Sequence, residues 1–419
     1  MNQKIDWSTK EKMIADINEW RNKFYDIREL AVSQDGEVIG AVVQTSPETF
    51  TLCINGQVWE EEVDRIRCLT FNAKNEPVCL VVKEFQWTVK VGDNLWENTF
   101  DMMWNLTVSQ DGNSVAVNVR TSELTSGVSL NDQPWEEMFP EVRDLVMSPD
   151  GKKVASHVQL TRRKELDIFW FYKKNFTVAI NGKPWDNSFL VVWGATFSDD
   201  SNHVAATVMG SDVVHYTIAV DGKPWNKEFD GCWEPVFKPG STDVVAPVLI
   251  GKDWTLALNS ELIWPKFVQI FYPTFSPKGD KLAAVVAVEV GKWTVAVDGN
   301  PWQITFKQAV FDPIFSPTGD RIAAVAKENE KYTLVVDGKP WGDTFDNMWD
   351  PVFSPTGEHV ALRAEKNGKY FIVVDGKIYN IPYDWLWDPI FSPDGSKILI
   401  RGIENGKYYR RIVSVSEIL

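Results

Sequence analysis

The sequence predicts an all-β protein, a β-propeller of ten four-stranded antiparallel blades of about 39 residues each. Three observations lead to this prediction: a tryptophan that recurs at a steady interval, a Ser-Pro-x-Gly turn that keeps the same interval, and short strand-like apolar runs between them. The tryptophan follows a turn of the Asp-Gly-Lys-Pro type. Its ten positions are Trp20, Trp59, Trp96, Trp135, Trp185, Trp225, Trp264, Trp302, Trp341 and, with tyrosine instead, Tyr379.

The Ser-Pro-x-Gly turn is the second marker of the repeat. Proline fixes its own backbone angle and glycine accepts a positive φ, so the tetrapeptide favours a tight turn. Strict copies occupy 148–151, 276–279, 316–319, 354–357 and 392–395. Because this marker and the tryptophan share one period, we take the repeat as the unit of the fold.

Within one repeat, the apolar runs have the length and composition of strands. After the turn at 354–357, residues 359–362 form one run and 370–374 the next, separated by the hairpin signal Asn367-Gly368. Asp375-Gly376 then leads to a short segment at Tyr379. We label the four strands of each blade A, B, C and D in chain order.

The two chain ends complement each other. The last repeat stops after strand C, whereas the first marker, Trp20, precedes the first complete repeat. The sequence therefore predicts that 18–20 supply strand D of the last blade, which would remove an open sheet edge.

The residues before this strand predict a helix. Ser8 and Glu11 have the spacing of a capping box, which indicates a short helix that ends near Asn18. We therefore expect a helical extension at 1–17 and a single propeller domain at 18–419. Two five-bladed propellers that divide near Trp225 are the alternative, because propellers typically have about 4–8 blades.

Composition excludes several classes of function. The 419 residues carry a formal net charge of −15, which argues against a nucleic-acid partner. We expect neither a signal peptide nor a membrane span, since the N-terminal twenty residues are charged throughout and no stretch is long and apolar. The cysteines form neither close pairs nor a CxxC motif, which indicates reduced thiols and a cytoplasmic location. They are Cys53, Cys68, Cys79 and Cys232.

Tryptophan is unusually abundant, with 20 residues, and the repeat accounts for most of them. Besides the ten markers, a second aromatic position falls at the start of strand A and, we expect, packs in the wedge between blades. It is occupied by Trp104, Trp193, Trp233, Trp349 and Trp387, and by Phe271 and Phe311.

Three early repeats carry arginine at this second position, namely Arg28, Arg67 and Arg143. In a propeller, the start of strand A lies at one mouth of the central channel, so these residues and the five tryptophans are candidate channel-mouth residues. The arginines would give the mouth a basic sector that suits an anionic partner. Alternatively, each arginine pairs locally with a carboxylate such as Asp64 or Asp144.

The fourth repeat contains an insertion at 161–174, which lengthens one interval by about ten residues. Its apolar and aromatic centre is flanked by basic residues, a composition typical of interaction sites. We predict that it is the principal partner-docking element. The alternative is an extended β-hairpin whose aromatic residues pack on blade 3 or 5. The residues concerned are Arg162, Arg163, Lys164, Leu166, Ile168, Phe169, Trp170, Phe171 and Tyr172.

Motifs of catalysis and metal binding are not evident in the sequence. The four histidines, His157, His203, His215 and His359, fall at unlike positions of different repeats, so joint metal ligation is not expected. We find no GxSxG elbow, no Walker loop and no GxGxxG motif. The sequence therefore predicts a protein without catalytic residues or cofactor.

The pattern FSPxGxxVAxxxxxxGxYxxVVDG, which covers nearly the whole chain, resembles TolB-type, WD-repeat-like propeller repeats. The added DGKPW-x3-F element and the tryptophan content resemble the TmcD-type, tryptophan-rich subunits of the transmembrane electron-transfer complex of sulfate-reducing bacteria. This resemblance implies a cytoplasmic accessory subunit, peripheral to the membrane. Its partners would be an iron–sulfur subunit, a membrane cytochrome b and a periplasmic multihaem cytochrome c.

Three functions are compatible with these observations. The first is a non-catalytic scaffold or docking subunit of a membrane-bound respiratory complex, which the absence of a catalytic motif and the aromatic insertion favour. The second is a small-molecule or peptide binder that uses the channel mouth. The third, a propeller hydrolase or lyase, needs a cluster of His, Asp and Arg that the sequence does not show.

Overall fold

A computed structural model describes residues 5–162, 173–210 and 212–419 of the chain. It is all-β, a β-propeller of ten blades, and each blade is an antiparallel sheet in the order A-B-C-D. The repeat-based prediction of fold and blade number is therefore confirmed. Neither described helix has the length and apolar character that crossing a bilayer requires.

The chain comprises two compact units of five blades each. The second unit, Val63–Lys266, contains blades 2 to 6. Its strands are β6 (Arg65–Phe71), β7 (Pro77–Lys83), β8 (Gln86–Val91), β9 (Asn94–Leu95), β10 (Met102–Val108), β11 (Val115–Arg120), β12 (Ser126–Leu130), β13 (Gln133–Pro134), β14 (Glu141–Met147), β15 (Val154–Gln159), β16 (Phe176–Ile180), β17 (Lys183–Pro184), β18 (Val191–Phe197), β19 (Val204–Met209), β20 (Tyr216–Val220), β21 (Lys223–Pro224), β22 (Gly231–Cys232), β23 (Val236–Phe237), β24 (Val244–Ile250), β25 (Asp253–Leu258) and β26 (Glu261–Leu262).

The first unit, Met1–Glu62 with Phe267–Leu419, contains blade 1 and blades 7 to 10. The unit boundaries thus differ from the division near Trp225. Its elements are β1 (Glu11–Asp16), α1 (Ile17–Lys23), β2 (Asp26–Val32), β3 (Ile39–Ser46), β4 (Thr49–Ile54), β5 (Gln57–Val58), β27 (Gln269–Phe275), β28 (Leu282–Glu289), β29 (Lys292–Val297), β30 (Asn300–Pro301), β31 (Ala309–Val310), β32 (Ile314–Phe315), β33 (Ile322–Glu328), β34 (Lys331–Val336), β35 (Lys339–Pro340), β36 (Asn347–Met348), β37 (Val352–Phe353), β38 (Val360–Lys366), β39 (Lys369–Val374), β40 (Lys377–Ile378), β41 (Trp385–Leu386), β42 (Ile390–Phe391), β43 (Lys397–Glu404), β44 (Lys407–Ser414) and α2 (Val415–Ile418).

In eight of the ten blades, an Asp or Asn side chain of the C–D turn binds the start of strand B. In blade 7, Asp298 and Gly299 both have positive φ, 49° and 78°, which is the pattern of a type I′ hairpin turn. The Asp298 Oδ1 atom also accepts the backbone N–H of Leu282 at 2.9 Å, at the start of strand B. The recurring Asp-Gly therefore forms the turn and also caps the neighbouring strand.

Five marker tryptophans pack against the next blade: Trp20, Trp135, Trp185, Trp302 and Trp341. The Trp185 side chain lies against the C–D turn of blade 5, where a Cβ added to Gly222 would lie 2.9 Å from the Trp185 Cβ. Four residues after the marker, Phe189 rejoins the sheet by a bridge to Phe176 and is buried. The Trp-x3-Phe pattern thus links neighbouring blades and fills the core between them.

Strand A has two forms. In blades 1 to 5 and 7 it is continuous but shifts register, as it does between Arg28 and Ala31 in blade 1. In blades 6, 8, 9 and 10 an aromatic–acidic–proline triplet, such as Trp349-Asp350-Pro351, divides it into two short strands. Proline lacks the N–H that a continuous ladder needs. Because Pro273 holds the same place in the undivided strand of blade 7, proline alone does not cause the division.

An N-terminal strand completes the last blade, as the sequence predicts, but its position differs. Strand β1, at Glu11–Asp16, pairs antiparallel with β44, and the helix comes afterwards, at Ile17–Lys23. The predicted strand at 18–20 and the predicted helix up to Asn18 are therefore wrong. The N-cap is Asp16, whose side chain accepts the N–H of Asn18 at 3.0 Å.

Pairing with a distant strand explains why the capping-box pattern predicted a helix where the structure has a strand. The Ser8 side chain hydrogen bonds to Asp6 Oδ1 at 2.5 Å, within a local turn, instead of capping a helix. Pairing with β44 then buries Ala15, and Trp20 of the helix packs in the core that the first and last blades share. The pairing partner, which lies almost 400 residues away in sequence, decides the local structure.

Candidate interaction surface

Two hydrogen bonds join the ends of the blade 4 insertion at the point where it leaves the sheet. Asn175 Oδ1 accepts the backbone N–H of Thr161 at 3.0 Å, and Asn175 Nδ2 donates to the Thr161 carbonyl at 2.8 Å. These bonds join the two ends of the insertion like the last rung of a hairpin. The blade beneath is therefore complete without the intervening residues.

Of the predicted docking residues, Arg162 lies in the described part of the chain. Its Nη2 atom donates to the carbonyl oxygens of Glu123 at 2.7 Å and Leu124 at 2.8 Å, in the B–C loop of blade 3. The start of the insertion is thereby attached to the neighbouring blade. The other predicted docking residues lie outside the described residues: Arg163, Lys164, Leu166, Ile168, Phe169, Trp170, Phe171 and Tyr172.

Exposed apolar side chains lie at the same end of neighbouring blades. In an antiparallel blade, the B–C loop and the start of strand A lie at the same end of the sheet. At this end of blades 2, 3 and 5, Phe85 is 88% exposed, Leu124 60% and Val214 58%. We call the following set the docking surface: Phe85, Met102, Leu124, Val191, Val213 and Val214, all large apolar residues that are exposed.

Hydrogen bonds connect the loops of the docking surface. Gln86, next to Phe85, donates to Asp101 Oδ1 at 3.2 Å, and the backbone N–H of Asp101 donates to the Arg120 carbonyl at 3.0 Å. Arg162 then links the Leu124 loop to blade 4. The loops of blades 2, 3 and 4 are therefore linked at this end.

The corresponding loops of the first unit are different. They are mostly polar, with sequences such as Asn329-Glu330, Asn367-Gly368 and Asn405-Gly406 at their tips. Val290 of blade 7 is the exception, and it is 88% exposed. In the B–C loops, exposed apolar residues are thus more numerous in the second unit. At the start of strand A both units expose such residues, Met102 and Val191 in the second and Tyr25 and Trp385 in the first.

The predicted channel-mouth tryptophans pack within their own blades. The strand A ring contacts the aromatic residue that opens strand C. The ring centroids are 5.5 Å apart in an edge contact for Trp193–Tyr216 and in a stacked one for Trp233–Trp254. Trp349 and Trp387 make the same contact with Tyr370 and Tyr408, and Trp104 lies under the Arg120 guanidinium instead. These contacts favour a structural role for the five rings.

Two of the three arginines pair with carboxylates of their own strand. Arg28 Nε lies 2.8 Å from Asp26 Oδ2, and Arg143 Nε lies 2.7 Å from Glu141 Oε1. Arg67 lies exposed on β6. The geometry of Arg28 and Arg143 favours local pairing, although with other partners than the sequence suggested.

A cluster of one histidine and three carboxylates lies at the same end of blade 5. Asp212 Oδ2 lies 2.8 Å from His215 Nδ1, and His215 Nε2 lies 3.8 Å from Asp230 Oδ1. Ligand atoms of Asp212, His215 and Glu228 all lie within 4.8 Å of one another. The other three histidines each pair with a single carboxylate, Asp144, Asp221 or Asp375.

Electrostatics of the cluster follow from this geometry. The hydrogen bond to Asp212 and the negative charges of Asp212, Asp230 and Glu228 raise the pKa of His215. Hydrogen bonds from the His215 side chain, its backbone N–H and the Val214 N–H lower the pKa of Asp212 to about 2. Near neutral pH the cluster therefore carries more negative than positive charge.

Sequence reasoning missed this cluster. Glu228 and Asp230 flank Phe229, and Phe229 forms a β-bridge with Tyr216 at the start of strand C. Because His215 directly precedes Tyr216, this bridge places both carboxylates beside the imidazole. The sequence shows Asp212 three residues before His215. However, only the pairing of Tyr216 with Phe229 brings the other two carboxylates near the imidazole. That pairing is the one signal that would have predicted it.

No protein-family model matches the sequence, and no curated protein matches it. Many solved structures resemble the fold. A eukaryotic initiation factor is 12% identical with a TM-score of 0.48, covering 84% of this chain and 96% of that one. The Dos1 propeller is 11% identical with a TM-score of 0.35, covering 96% of this chain and 94% of that one. The Myceliophteria thermophila Cps50 (Swd1) β-propeller domain is 13% identical with a TM-score of 0.31, covering 65% of this chain and 99% of that one.

Proposed function

We propose that this β-propeller is a non-catalytic docking subunit of a multi-protein assembly. The docking surface supports the proposal: several large apolar side chains are exposed at one end of blades 2, 3 and 5. Exposing such side chains to water costs free energy that burial against a partner recovers, about 25 cal/mol per Å² of apolar area. Apolar groups clustered on a surface in this way are typical of protein–protein contacts.

The insertion at 161–174 supplies the centre of this proposed interface. Its sequence combines Leu166, Ile168 and four consecutive aromatic residues with five basic ones. Aromatic and arginine side chains are the residues that most often dominate binding energy at protein interfaces. Because the Thr161–Asn175 bonds close the blade beneath it, the insertion is free to serve binding instead of folding.

The assembly that we propose is a membrane-bound respiratory electron-transfer complex. In it, the chain would be a cytoplasmic accessory subunit, peripheral to the membrane, in contact with an iron–sulfur subunit and a membrane cytochrome b. The repeat pattern, its DGKPW-x3-F element and the 20 tryptophans support this choice. The proposal assigns the chain no redox centre of its own, so the purified protein should show no visible absorption and contain no stoichiometric iron.

Serine substitution of Phe169, Trp170 and Phe171 tests the proposed role of the insertion. We expect the triple variant to keep the melting temperature of the wild type, because the blade closes beneath the insertion, and to lose its partner during purification from native membranes. Val290→Ser is the matched control for removal of exposed apolar area. A triple variant that melts at a much lower temperature yet still assembles would show that these aromatics pack on the propeller instead.

A further inference from the structure

We infer that His215, Glu228 and Asp230 bind a divalent transition-metal ion, with Asp212 holding the imidazole in place and Zn²⁺ the ion that this donor set suits best. One imidazole nitrogen and carboxylate oxygens are ligands that Zn²⁺ takes in four-coordinate sites. The inference goes beyond the proposed docking function, since it concerns the isolated chain and requires no partner.

The histidine is oriented for metal binding. Its Nδ1 atom lies 2.8 Å from Asp212 Oδ2, so the neutral ring donates there and leaves the Nε2 lone pair for a ligand bond. A carboxylate that holds a histidine in this way commonly fixes the tautomer and orientation of a metal-binding imidazole. Asp212 is itself held, because its Oδ1 atom accepts the backbone N–H groups of Val214 at 2.9 Å and His215 at 2.7 Å.

The spacing between Nε2 and the next carboxylate fits a shared ion. At 3.8 Å, His215 Nε2 and Asp230 Oδ1 are too far apart for a hydrogen bond. Two ligands of a tetrahedral Zn²⁺, each about 2.0–2.2 Å from the ion, are about 3.4 Å apart. A movement of about 0.4 Å therefore converts this gap into a ligand pair.

The backbone fixes the other ligands in place. Tyr216 and Phe229 exchange two backbone hydrogen bonds of 2.8 Å each, and Phe229 is buried. Glu228 and Asp230, on either side of Phe229, are alternate residues of an extended segment and so point to the same side. Gly210 makes room for Glu228, because a Cβ at this glycine would lie 2.9 Å from Glu228 Oε1.

The charge of the cluster also favours a cation. Three carboxylates surround one imidazole, and the nearby Lys227 is paired with Glu261 at 2.7 Å. The Asp230 Oδ2 atom accepts the Gly251 N–H at 2.6 Å, which leaves Oδ1 directed to the histidine. A divalent ion would neutralise the excess negative charge and would fix the 212–215 turn that carries Val213 and Val214 of the docking surface.

Titration of the chelator-treated full chain with Zn²⁺ tests the inference. We expect one ion per chain, and binding at least about tenfold weaker for His215→Ala. His203→Ala is the matched control, because His203 pairs with Asp221 alone, and it should bind as the wild type does. Co²⁺ should give the intense visible bands of a four-coordinate ion with the wild type and the control but not with His215→Ala.

Glu228→Gln provides a second variant that keeps side-chain size and fold. It should weaken Zn²⁺ binding while leaving the circular dichroism spectrum unchanged. Equal affinity of the wild type and His215→Ala, several weak ions per chain, or an octahedral Co²⁺ spectrum would overturn the inference. The outcome is independent of the docking proposal, since co-purification of partners is measured separately.

Discussion

At the scale of single residues, contacts between neighbouring blades depend on glycine. Five marker tryptophans lie against the C–D turn glycines of the next blade, as Trp302 does against Gly338 and Trp341 against Gly376. These glycines have positive φ, a region that costs other residues about 1–2 kcal/mol. The Asp-Gly of the repeat is therefore fixed by the turn and by the tryptophan that covers it.

Gly222→Ala should destabilise the protein more than Gly251→Ala. Both glycines have positive φ, but a Cβ at Gly222 meets Trp185 at 2.9 Å, whereas a Cβ at Gly251 meets nothing within 4 Å. We expect about 1 kcal/mol for Gly251→Ala from the backbone alone and about 1–3 kcal/mol more for Gly222→Ala from overpacking. Urea denaturation measures both, and equal losses would show that the tryptophan contact is loose.

The His215 imidazole should titrate above the ordinary histidine pKa. Asp212 raises the pKa first, through its hydrogen bond and its charge, so Asp212→Asn should move the NMR titration midpoint downward. A raised folded-state pKa stabilises the fold below the unfolded pKa, and this contribution is lost as the pH rises through the folded value. An unchanged midpoint in Asp212→Asn would contradict the assignment of Asp212 as the main cause.

At the scale of secondary-structure elements, the N-terminal strand β1 pairs with β44, which carries two buried arginines. Arg410 of β44 is fully buried and donates to the carbonyl oxygens of Asp35 at 3.1 Å and Thr9 at 3.3 Å, and to that of Asp6. Arg411 lies 2.6 Å from Glu11. Residues before and within β1 thus satisfy guanidinium groups that the last blade buries.

Deletion of residues 1–16 should destabilise the protein by about 3–5 kcal/mol, the usual cost of removing partners from buried charges. The deletion removes β1, the carbonyl oxygens that Arg410 binds, and Glu11 beside Arg411. Deletion of residues 1–5 is the control and should have little effect, because Asp6 and the strand remain. Thermal melting compares the two; similar melting temperatures would mean that β1 adds nothing to the last blade.

The sequence predicts the blades well and the N-terminal segment poorly, for a physical reason. Turns such as Asp298-Gly299 are encoded by adjacent residues, so their positions can be recognised directly. The strand at Glu11–Asp16 exists because β44 pairs with it, and nothing in those six residues identifies that partner. The same limit applies to the cluster around His215, where the 216–229 bridge decides which carboxylates approach.

At the scale of the whole molecule, the two units share one blade architecture but differ in what their loops expose. In the B–C loops, the second unit exposes Phe85, Leu124, Val213 and Val214, whereas the first exposes Val290 among mostly polar tips. Identical blades need no such difference for folding. The asymmetry is therefore the property of this molecule that we connect with function.

Partner retention by loop variants tests the docking account most directly. We would purify tagged wild type, Phe85→Ser/Leu124→Ser and Val290→Ser from gently solubilised native membranes and quantify the stoichiometric partner. The account predicts that the double variant, with an unchanged melting temperature, retains about tenfold less partner, whereas Val290→Ser retains the wild-type amount. Equal retention by all three, or equal loss in Val290→Ser, would contradict it.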